Sequence, residues 1–266
     1  MATILDDLFS LEGRTALVTG GAGAIGRVLA RGLASAGARV AVHDFDEARL
    51  AEIRALFEAD GREVVTLTGD LTDAAACKTV VDRAAEALGG LDILVNSQGT
   101  NRRKRIEAVT ADDFDAIVDV NLRSVYFVAQ AAHPHFKARG GGKIVNISSL
   151  SAKHAFNTIS VYAATKAAVS QLTRAQAREW VGDNIQVNAV EPGFVKTEFT
   201  RPLWDDPYRD GWFRGFIPAG RLASPDELVG AVILLASRGS SYITGQSIVI
   251  DGGVLSGATW EAPAAP

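Results

Sequence analysis

Short apolar runs, each about the length of a β-strand, recur along the chain and alternate with longer stretches of helical periodicity. The runs predict strands over residues 15–19, 39–44, 64–68, 91–95, 143–148, 185–190 and 247–250. The intervening stretches predict helices over 25–36, 47–59, 74–88, 112–138, 161–181 and 225–236. Alternating strands and helices are typical of a parallel sheet covered on both faces. Because crossover connections are right-handed, the sequence predicts a doubly wound α/β domain with a seven-stranded parallel sheet and helices on both faces.

A glycine-rich turn follows the first predicted strand and opens the first predicted helix. It reads TGGAGAIG over residues 19–26. Glycines let the backbone approach a pyrophosphate closely, and a helix N-terminus offers it unpaired N–H groups. The turn therefore predicts a dinucleotide site.

The second predicted strand ends in an acidic residue, Asp44. An acidic side chain in that position can bind the ribose hydroxyls of an adenosine, and it repels the 2′-phosphate that distinguishes NADP from NAD. No Arg or Lys lies within 20–26, and Phe45 rather than a basic residue follows Asp44. The sequence therefore favours NAD as the cofactor.

A serine, a tyrosine and a lysine are spaced for proton transfer in the segment 149–166. Tyr162 and Lys166 are four residues apart, so they share one face of a helix. A free phenol has a pKa near 10, and a nearby ammonium is expected to lower it. Ser149 lies thirteen residues before the tyrosine and can hydrogen-bond the oxygen that exchanges the proton. This arrangement suits the interconversion of alcohols and carbonyls.

The glycine turn and the Ser149, Tyr162, Lys166 pattern together resemble the short-chain dehydrogenase/reductase family, over about residues 11–253. The resemblance implies a single Rossmann-type catalytic domain over 1–266. It implies a catalytic tetrad of Asn121, Ser149, Tyr162 and Lys166. The cofactor site that it implies comprises Gly20, Ala24, Ile25, Gly26, Asp44, Asp70, Leu71, Asn96, Gly99, Tyr162, Lys166, Pro192, Gly193, Val195 and Thr197.

The family also implies a role for each member of the tetrad. Tyr162 is expected to be the general acid/base, and Lys166 to lower its pKa and hold the nicotinamide ribose. Ser149 is expected to fix the substrate oxygen, and Asn121 to hold a water that relays the proton to solvent. The cofactor carries the hydride, while the protein supplies orientation and proton transfer.

Some positions depart from the family pattern. Ala24 stands where the family usually has glycine, and Ser97 and Gln98 replace the second and third residues of its Asn-Asn-Ala-Gly stretch. Glu191 stands where a small residue commonly precedes the Pro-Gly pair, so it is expected either to form a structural ion pair or to face the pocket.

Composition narrows the functional class. The chain has 266 residues, of which 47% are hydrophobic and 22% charged, as in an ordinary soluble globular protein. The net charge of −4 argues against a nucleic-acid partner, and no apolar run approaches the ~20 residues that span a bilayer. The lone Cys77 and the acidic N-terminus favour a cytoplasmic protein. The tail over 259–266 is expected to be flexible.

No metal is expected, because Tyr162 can polarise the substrate oxygen. The pair His133 and His135 resembles a metal-ligand pair, but no third ligand accompanies it. A surface turn is the preferred interpretation.

A basic loop, Arg102-Arg103-Lys104-Arg105, follows the fourth predicted strand. A guanidinium there can bind a carboxylate through two hydrogen bonds, and the loop resembles that of sugar-acid members of the family. Arg102 or Arg103 is therefore expected at the pocket mouth, unless the loop is solvated or contacts another subunit. Further substrate candidates are Ser151, His154 and Asn157.

Two other segments have predicted roles. Residues 194–216 contain Trp204, Tyr208, Trp212 and Phe213, which predicts a lid loop over the substrate. The helix beginning near 161 carries many alanines, and in the family this helix and the one over 112–138 build a dimer core. The resemblance thus implies a homotetramer.

These observations leave three functional classes. The first is an NAD-dependent dehydrogenase that interconverts a secondary alcohol and a ketone on a sugar acid, an anionic sugar or a neutral polyol. The second is a 3-oxoacyl-carrier-protein reductase, which would use the basic loop to dock an acidic carrier protein, although Asp44 disfavours its usual NADPH. The third is a non-catalytic dinucleotide-binding scaffold, which the intact tetrad disfavours.

Overall fold

A computed structural model describes residues 3–257, apart from the side chains of Phe199, Pro202 and Leu203. Seven strands form one parallel sheet in the order β3-β2-β1-β4-β5-β6-β7. The strands are β1 (Thr15–Thr19), β2 (Arg39–Asp44), β3 (Val65–Thr68), β4 (Ile93–Asn96), β5 (Gly142–Ile147), β6 (Ile185–Pro192) and β7 (Ser247–Ile250). The predicted doubly wound α/β fold is confirmed. The tail over 259–266 lies outside the described residues.

Ten α-helices are described in these ranges. They are α1 (Ile4–Phe9), α2 (Ala24–Ser35), α3 (Glu47–Ala59), α4 (Ala74–Leu88), α5 (Ala111–Val118), α6 (Ser124–Ala138), α7 (Ser160–Trp180), α8 (Arg201–Trp204), α9 (Pro207–Phe216) and α10 (Val229–Ala236). No helix within residues 3–257 is long and apolar enough to cross a bilayer.

Two apolar cores lie on opposite faces of the sheet. Successive side chains of a strand point to opposite faces. In β1, Ala16 and Val18 accordingly join the core beneath α2, α3 and α10, whereas Leu17 joins the core beneath α4, α6 and α7. Burial on both faces explains why these strands read as continuous apolar runs in the sequence.

The helix predicted over 112–138 is interrupted. Between α5 and α6, residues Asp119–Arg123 form a wider π-helical turn, in which Ser124 N–H donates to Asp119 O. The turn surrounds Asn121, whose side chain bonds to neighbouring elements. Such π-turns often lie at functional sites. Hydrophobic periodicity alone does not reveal this interruption, because the turn has helical backbone angles on both sides.

The interpretation of His133 and His135 as part of a surface turn is wrong. Both lie inside α6, together with Pro134. His133 bonds to Asp183 and His135 to Asp82, each at 2.8 Å. Within residues 3–257, no group of three His, Cys, Asp or Glu side chains could hold a metal ion.

The order of the strands determines at which edge of the sheet a ligand can bind. After β3 at one edge the chain returns to place β4 beside β1, so the strand order reverses between β1 and β4. Ligands of open α/β sheets bind beyond the carboxyl ends of the strands at such a reversal. The glycine turn, Ser97 and Ser149 all follow strands at this edge.

The opposite edge is held by a buried carboxylate, Asp92. It accepts hydrogen bonds from Thr15 N (3.0 Å), from Arg14 (3.2 Å) and from two nitrogens of Arg139 (3.2 Å). Burial disfavours the charged form, but the bonds from Arg139 and Thr15 outweigh it and hold the pKa of Asp92 below its usual 3.8. Because the folded pKa is depressed, this stabilisation is present above pH 3.8 and is lost as the pH falls through the folded pKa.

We expect Asp92→Asn to lower the free energy of unfolding by about 2 kcal/mol at neutral pH, because several charge-assisted hydrogen bonds are weakened. Urea unfolding measures this change, and the deficit should shrink at acid pH. Asp112→Asn, at an exposed carboxylate, is the control. Equal stability of the Asp92 variant and the unaltered protein at neutral pH would contradict the assignment.

Candidate active site

A cavity of about 670 Å³ opens at the carboxyl edge of the sheet. Its wall combines the glycine turn with the ends of β4, β5 and β6 and the first turns of α7. Among the predicted site residues it is lined by Gly20, Ala24, Ile25, Gly26, Gly99, Ser149, Tyr162, Lys166, Pro192, Gly193, Val195 and Thr197. Residues far apart in the sequence are thus brought to one cleft.

The glycine turn leaves no room for side chains at two positions. Gly20 has φ +61°, and a Cβ there would lie 2.6 Å from Gln98 Cα. A Cβ on Gly26 would lie 2.3 Å from Gly20 O. Gly23 caps α2 without a side chain, and Ala24, Ile25 and Gly26 line the cavity. The first N–H groups of α2 are therefore left for an anionic ligand.

Gln98, one of the departures from the family pattern, is held in a buried polar chain. Thr19 Oγ1 donates to Gln98 Oε1, and Gln98 Nε2 donates to Ser124 Oγ at 2.8 Å. The side chain thereby joins β1 to α6, and Gln98 lines the cavity wall. These two hydrogen bonds fix the added bulk of Gln98 in the wall.

Asp44 is buried at the end of β2, where its carboxylate faces the glycine turn. Its Oδ2 accepts a hydrogen bond from Ala22 N (3.3 Å), and its Oδ1 accepts one from Asp46 N (3.3 Å). Both bonds are long, so the carboxylate retains acceptor capacity. Its position beside the turn is the one expected for contact with an adenosine ribose.

Asp44 does not itself line the cavity, and neither do three other predicted cofactor residues. Asp70 accepts bonds from Thr72 N (2.9 Å) and Thr72 Oγ1 (2.8 Å), which lower its pKa. Leu71 is 7% exposed within the core beneath α4. Asn96 donates to Asn146 Oδ1 (2.8 Å) and so joins β4 to β5. The side chains of these three residues make structural contacts near the carboxyl ends of β3 and β4.

The predicted tetrad converges on one point of the cleft. Lys166 Nζ lies 5.7 Å from the centroid of the Tyr162 ring and donates to Ile147 O at 2.8 Å. A Cβ on Gly99 would lie 3.5 Å from Lys166 Nζ and 3.7 Å from Asn121 Oδ1. Ser149 follows directly after Ser148 at the end of β5, and its side chain lies close enough to the Tyr162 phenol to lower the pKa of that phenol.

Asn121 is fully buried, and its side chain is committed to structure. Its Oδ1 accepts from Thr100 N (2.7 Å), while its Nδ2 donates to Thr100 O (3.0 Å) and Thr165 Oγ1 (3.1 Å). The amide therefore fixes both the chain after Gly99 and the first turns of α7.

The electrostatics of the cleft differ from the expectation in one respect. Burial raises the pKa of the Tyr162 phenol, and the Ser149 hydrogen bond and the charge of Arg103 oppose this rise only in part. Burial also lowers the pKa of Lys166 to about 8. In the protein alone the phenol pKa is thus raised rather than lowered, because desolvation outweighs the neighbouring charges.

The basic loop divides into three residues with carboxylate partners and one, Arg103, without such a partner among the described residues. Arg102 and Lys104 both form ion pairs with Asp113 at the start of α5, and Arg105 pairs with Glu107 at 2.8 Å. Arg102 therefore serves the loop and not the pocket, which corrects the prediction for that residue. The Asp113 carboxylate that pairs with the Arg102 guanidinium also accepts a hydrogen bond from Thr110 N, the N-cap residue of α5.

Arg103 has no carboxylate partner among the described residues. Arg103 is an exposed residue. Partial desolvation lowers the pKa of its guanidinium, the Tyr162 phenol opposes that change, and the charge of Arg209 of α9 lowers the pKa further. Arg103 therefore lies within electrostatic range of the predicted catalytic tyrosine. The loop is held there because Lys104 N donates to Thr158 O at 3.0 Å, just before α7.

The other predicted substrate residues lie around the cleft without lining the cavity. Ser151 N donates to Ser149 Oγ at 3.1 Å, which orients that hydroxyl. His154 packs on Phe156 and Phe216, with ring centroids 4.7 and 6.1 Å away. Asn157 is exposed. His154 thus contacts the predicted lid rather than pointing freely at a substrate.

The predicted lid loop over 194–216 is largely helical. It contains a 3₁₀ turn at Glu198–Thr200, followed by α8 and α9. Phe213 packs 4.7 Å from Phe194, and Trp212 stacks on Phe216 at 4.8 Å. These rings form a small apolar cluster that attaches the segment beside the cleft, whereas Tyr208 remains exposed.

Sequence patterns missed some cavity residues. Arg27, Arg49 and Glu52 line the end of the cavity near the glycine turn, and Ser97 and Thr200 line its wall. The first turns of α2 and α3 directly follow the ends of β1 and β2, and this position in the sequence could have indicated that their side chains reach the cavity. The Ser97 hydroxyl is buried without a hydrogen-bond partner among the described residues, as expected of a group that awaits a ligand.

The cavity fits a pyridine dinucleotide. Glycines form the cradle and the N–H groups of α2 are uncapped. Arg49 and Glu52 line the cavity together with the glycine turn, and Tyr162 and Lys166 line it as well. The volume falls in the usual range for cofactor sites. Arg27 and Arg49 would lie near the adenosine half, and Pro192, Gly193 and Thr197 near the nicotinamide half.

Comparisons with known proteins agree with this geometry. Residues 20–255 match the family model described as enoyl-(acyl carrier protein) reductase. The chain is 40% identical over 248 residues to gluconate 5-dehydrogenase of Gluconobacter oxydans (strain 621H), covering 93% of this chain and 97% of that protein. It is 36% identical over 245 residues to D-threitol dehydrogenase of Mycolicibacterium smegmatis (strain ATCC 700084 / mc(2)155), covering 92% and 94%.

A solved structure shares both fold and sequence. It is a gluconate 5-dehydrogenase from Burkholderia cenocepacia J2315 in complex with NADP and tartrate, with a TM-score of 0.91 and 41% identity, covering 95% of this chain and 99% of that one. Fold, cleft and sequence similarity lead to one conclusion. The chain belongs to the short-chain dehydrogenase/reductase family.

Proposed function

We propose that this protein is an NAD-dependent dehydrogenase that interconverts a secondary alcohol and a ketone on a sugar acid or a similar anionic polyol. As a member of its family it is a pyridine-nucleotide oxidoreductase acting on CH–OH groups. The observation that carries the choice of substrate is Arg103, a guanidinium without a carboxylate partner among the described residues, close to Tyr162.

The proton chemistry is assigned to three side chains. Tyr162 exchanges a proton with the substrate oxygen, and Ser149 hydrogen-bonds that oxygen. Lys166 is placed to bind the nicotinamide ribose and to supply positive charge when the phenol loses its proton. The cofactor, when bound, accepts or supplies the hydride. Asn121 holds Thr100 and α7 in place around this group.

Charge at the mouth of the cleft supports an anionic substrate. The charge of Arg209 in α9 disfavours the charge of Arg103 in the basic loop. A carboxylate beside Arg103 would offset this repulsion and accept charge-assisted hydrogen bonds from its guanidinium. The related structure that contains tartrate, a hydroxydicarboxylate, points in the same direction.

The assignment of NAD rests on Asp44, whose carboxylate faces the glycine turn. The related structure described above contains NADP, so similarity alone does not select between the two cofactors. A carboxylate at this point would repel the 2′-phosphate of NADP. We therefore retain NAD.

The other functional classes receive less support. A carrier-protein reductase would need a free basic surface, but Arg102, Lys104 and Arg105 are each paired with a carboxylate of the same chain. A neutral polyol remains the second candidate, favoured by the similarity to a threitol dehydrogenase. It would leave Arg103 without a partner.

A homotetramer is proposed as the assembly. The helices α6 and α7 leave Tyr126 46% exposed, and a groove of about 250 Å³ between them is lined by Tyr126, His133, Leu172 and Trp180. Partly buried aromatic side chains on adjoining helices suit contact with a second copy. The single cysteine, Cys77, is the support for a cytoplasmic location.

Replacing Arg103 with alanine tests the substrate assignment. We expect Arg103→Ala to raise KM for gluconate about tenfold or more, since a charged hydrogen bond is worth about 1.5–3 kcal/mol. KM for glucitol, which has a hydroxymethyl group in place of the carboxylate, should change far less. Arg103→Lys should recover only part of the affinity, because an ammonium cannot form the two-pronged contact. Initial rates with NAD measure both constants.

The neighbouring arginine offers a matched control. Arg102→Ala removes the same charge from the same loop, but its guanidinium bonds to Asp113. It should leave the ratio of the two KM values near that of the unaltered protein. Equal effects of Arg103→Ala on both substrates would refute the carboxylate contact and favour a neutral polyol.

A further inference from the structure

Glu191 is a fully buried carboxylate at the end of β6, directly before Pro192 and Gly193 of the cofactor cleft. Each of its oxygens has one partner. Oε1 accepts a hydrogen bond from Ser170 Oγ (2.8 Å), and Oε2 lies 2.8 Å from Lys153 Nζ. Among the described residues no hydrogen-bond donor with good geometry reaches Oε2, so the Lys153 ammonium is its neutralising group.

The first branch leads to the helix that carries the proposed acid/base pair. Ser170 lies one turn beyond Lys166 on α7. Its oxygen lies 2.9 Å from Ser148 Oγ, which also lies 2.8 Å from the Lys166 carbonyl oxygen, so Ser148 can donate its one proton to either of these acceptors. An ionised carboxylate can only accept, so Ser170 must donate to Glu191. The chain Lys166–Ser148–Ser170–Glu191 thus joins α7, β5 and β6.

The second branch leads to the turn that carries Ser149. Lys153 ends the 3₁₀ turn Leu150–Ala152, for which Ser149 is the N-cap, with its Oγ accepting from Ser151 N. Lys153 is about half exposed, whereas Glu191 is inaccessible. The ion pair therefore ties the turn after Ser149 to the strand that continues into Pro192 and Gly193.

We propose that Glu191 is a positioning residue, which with Lys153 and Ser170 holds Ser149, the Tyr162–Lys166 helix and the Pro192–Gly193 loop in mutual register. Those three elements supply the proton chemistry and the wall near the proposed nicotinamide position. The inference rests on the oxidoreductase activity and the cleft, and it does not depend on which alcohol is the substrate.

The energetics favour a positioning role over simple stabilisation. Burying a carboxylate is costly, and apolar residues of similar size in such places are often equally or more stabilising. An apolar residue would pack between β6 and α7 but would connect nothing to the Ser149 turn. A carboxylate with one partner on α7 and one on that turn does connect them. Small displacements of reacting groups can lower rates by up to about 10²-fold.

Two substitutions break the Glu191–Lys153 ion pair, one at each partner. Glu191→Gln keeps an acceptor for Ser170 but releases Lys153, and Lys153→Met removes the ammonium at the surface, where folding is least disturbed. With gluconate or glucitol, whichever the unaltered protein oxidises faster, each should lower kcat about tenfold. The dissociation constant of NADH, measured by fluorescence, should change less than about twofold, because the adenosine contacts lie elsewhere.

The double variant and the controls separate positioning from stability. Glu191→Gln combined with Lys153→Met should lower kcat no further than either single change, since both break one link. Lys153→Arg should recover most of the rate. Asp60→Asn, which breaks the Arg31–Asp60 pair (2.7 Å) between α2 and the end of α3, should leave kcat unchanged.

A crystal structure of Glu191→Gln provides a readout without substrate. We expect the 150–153 turn and Ser149 to shift relative to Tyr162. A lower Tm with unchanged kcat and unshifted Ser149 would overturn the proposal and make Glu191 a purely structural residue. Multiplicative losses, about a hundredfold in the double variant, would also overturn it, because two independent effects would then be at work.

Discussion

Replacing Tyr162 with phenylalanine is expected to lower kcat roughly 10²–10⁴-fold, the usual contribution of a positioned general acid/base. The variant keeps the ring that Lys166 approaches at 5.7 Å and loses only the hydroxyl, whose pKa responds to Ser149. NADH binding should therefore remain nearly intact. Steady-state rates and a fluorescence titration with NADH measure the two quantities separately.

The control is a second tyrosine with no role in the cleft. Tyr242 is fully exposed, and Tyr242→Phe should leave both kcat and NADH binding unchanged. If Tyr162→Phe kept a near-normal kcat, the proposed proton transfer would be wrong. If Tyr162→Phe lost NADH binding together with activity, the lower kcat could not be attributed to the loss of proton transfer by the hydroxyl.

The second large effect concerns the choice of cofactor. We expect kcat/KM with NAD to exceed that with NADP by about 10²-fold or more, because a like-charge contact with the 2′-phosphate costs several kcal/mol. Asp44→Ser should remove most of this preference by improving NADP and weakening NAD. The ratio of kcat/KM for the two cofactors measures the effect.

A helix-capping carboxylate that does not line the cavity serves as the control for Asp44. Asp73 caps α4 by accepting from Ala75 N (3.1 Å) and Ala76 N (3.3 Å), so Asp73→Asn removes a charge while keeping a cap. The cofactor ratio should hardly change in this variant. Equal use of NAD and NADP by the unaltered protein would show that Asp44 does not face the ribose.

The raised pKa of the Tyr162 phenol has a consequence for the direction of the reaction. Burial keeps Tyr162 protonated at neutral pH in the protein alone, which suits donation of a proton during ketone reduction. Alcohol oxidation needs the phenolate, and additional positive charge would be required to form it. Lys166 and Arg103 are the described cations nearest to that role.

The sheet and the position of the cleft could be predicted because they depend on simple patterns. Strands buried on both faces produce apolar runs such as 15–19, and glycines are needed where Gly20 and Gly26 have no space for a Cβ. The carboxyl ends of parallel strands meet at one edge, so Asp44, Ser149 and Pro192 were expected there. Local sequence and fold topology together determine these features.

The remaining features depend on contacts that a sequence does not display. Arg102 and Arg103 are chemically identical neighbours, and only the position of Asp113 decides which of them is free to approach Tyr162. The π-turn around Asn121 depends on hydrogen bonds to Thr100 and Thr165. Glu191 was recognisable as unusual, but its partners Lys153 and Ser170 come from separate elements.

The central claim is that the cleft oxidises a secondary alcohol of an anionic sugar with NAD. Its most direct test is the ratio of kcat/KM for gluconate to that for glucitol, measured with NAD and the unaltered protein. The two compounds differ only in a carboxylate against a hydroxymethyl group. The account predicts a ratio of about ten or more in favour of gluconate, from one charged hydrogen-bond contact. A ratio near one, a preference for glucitol, or no turnover of either compound would contradict it.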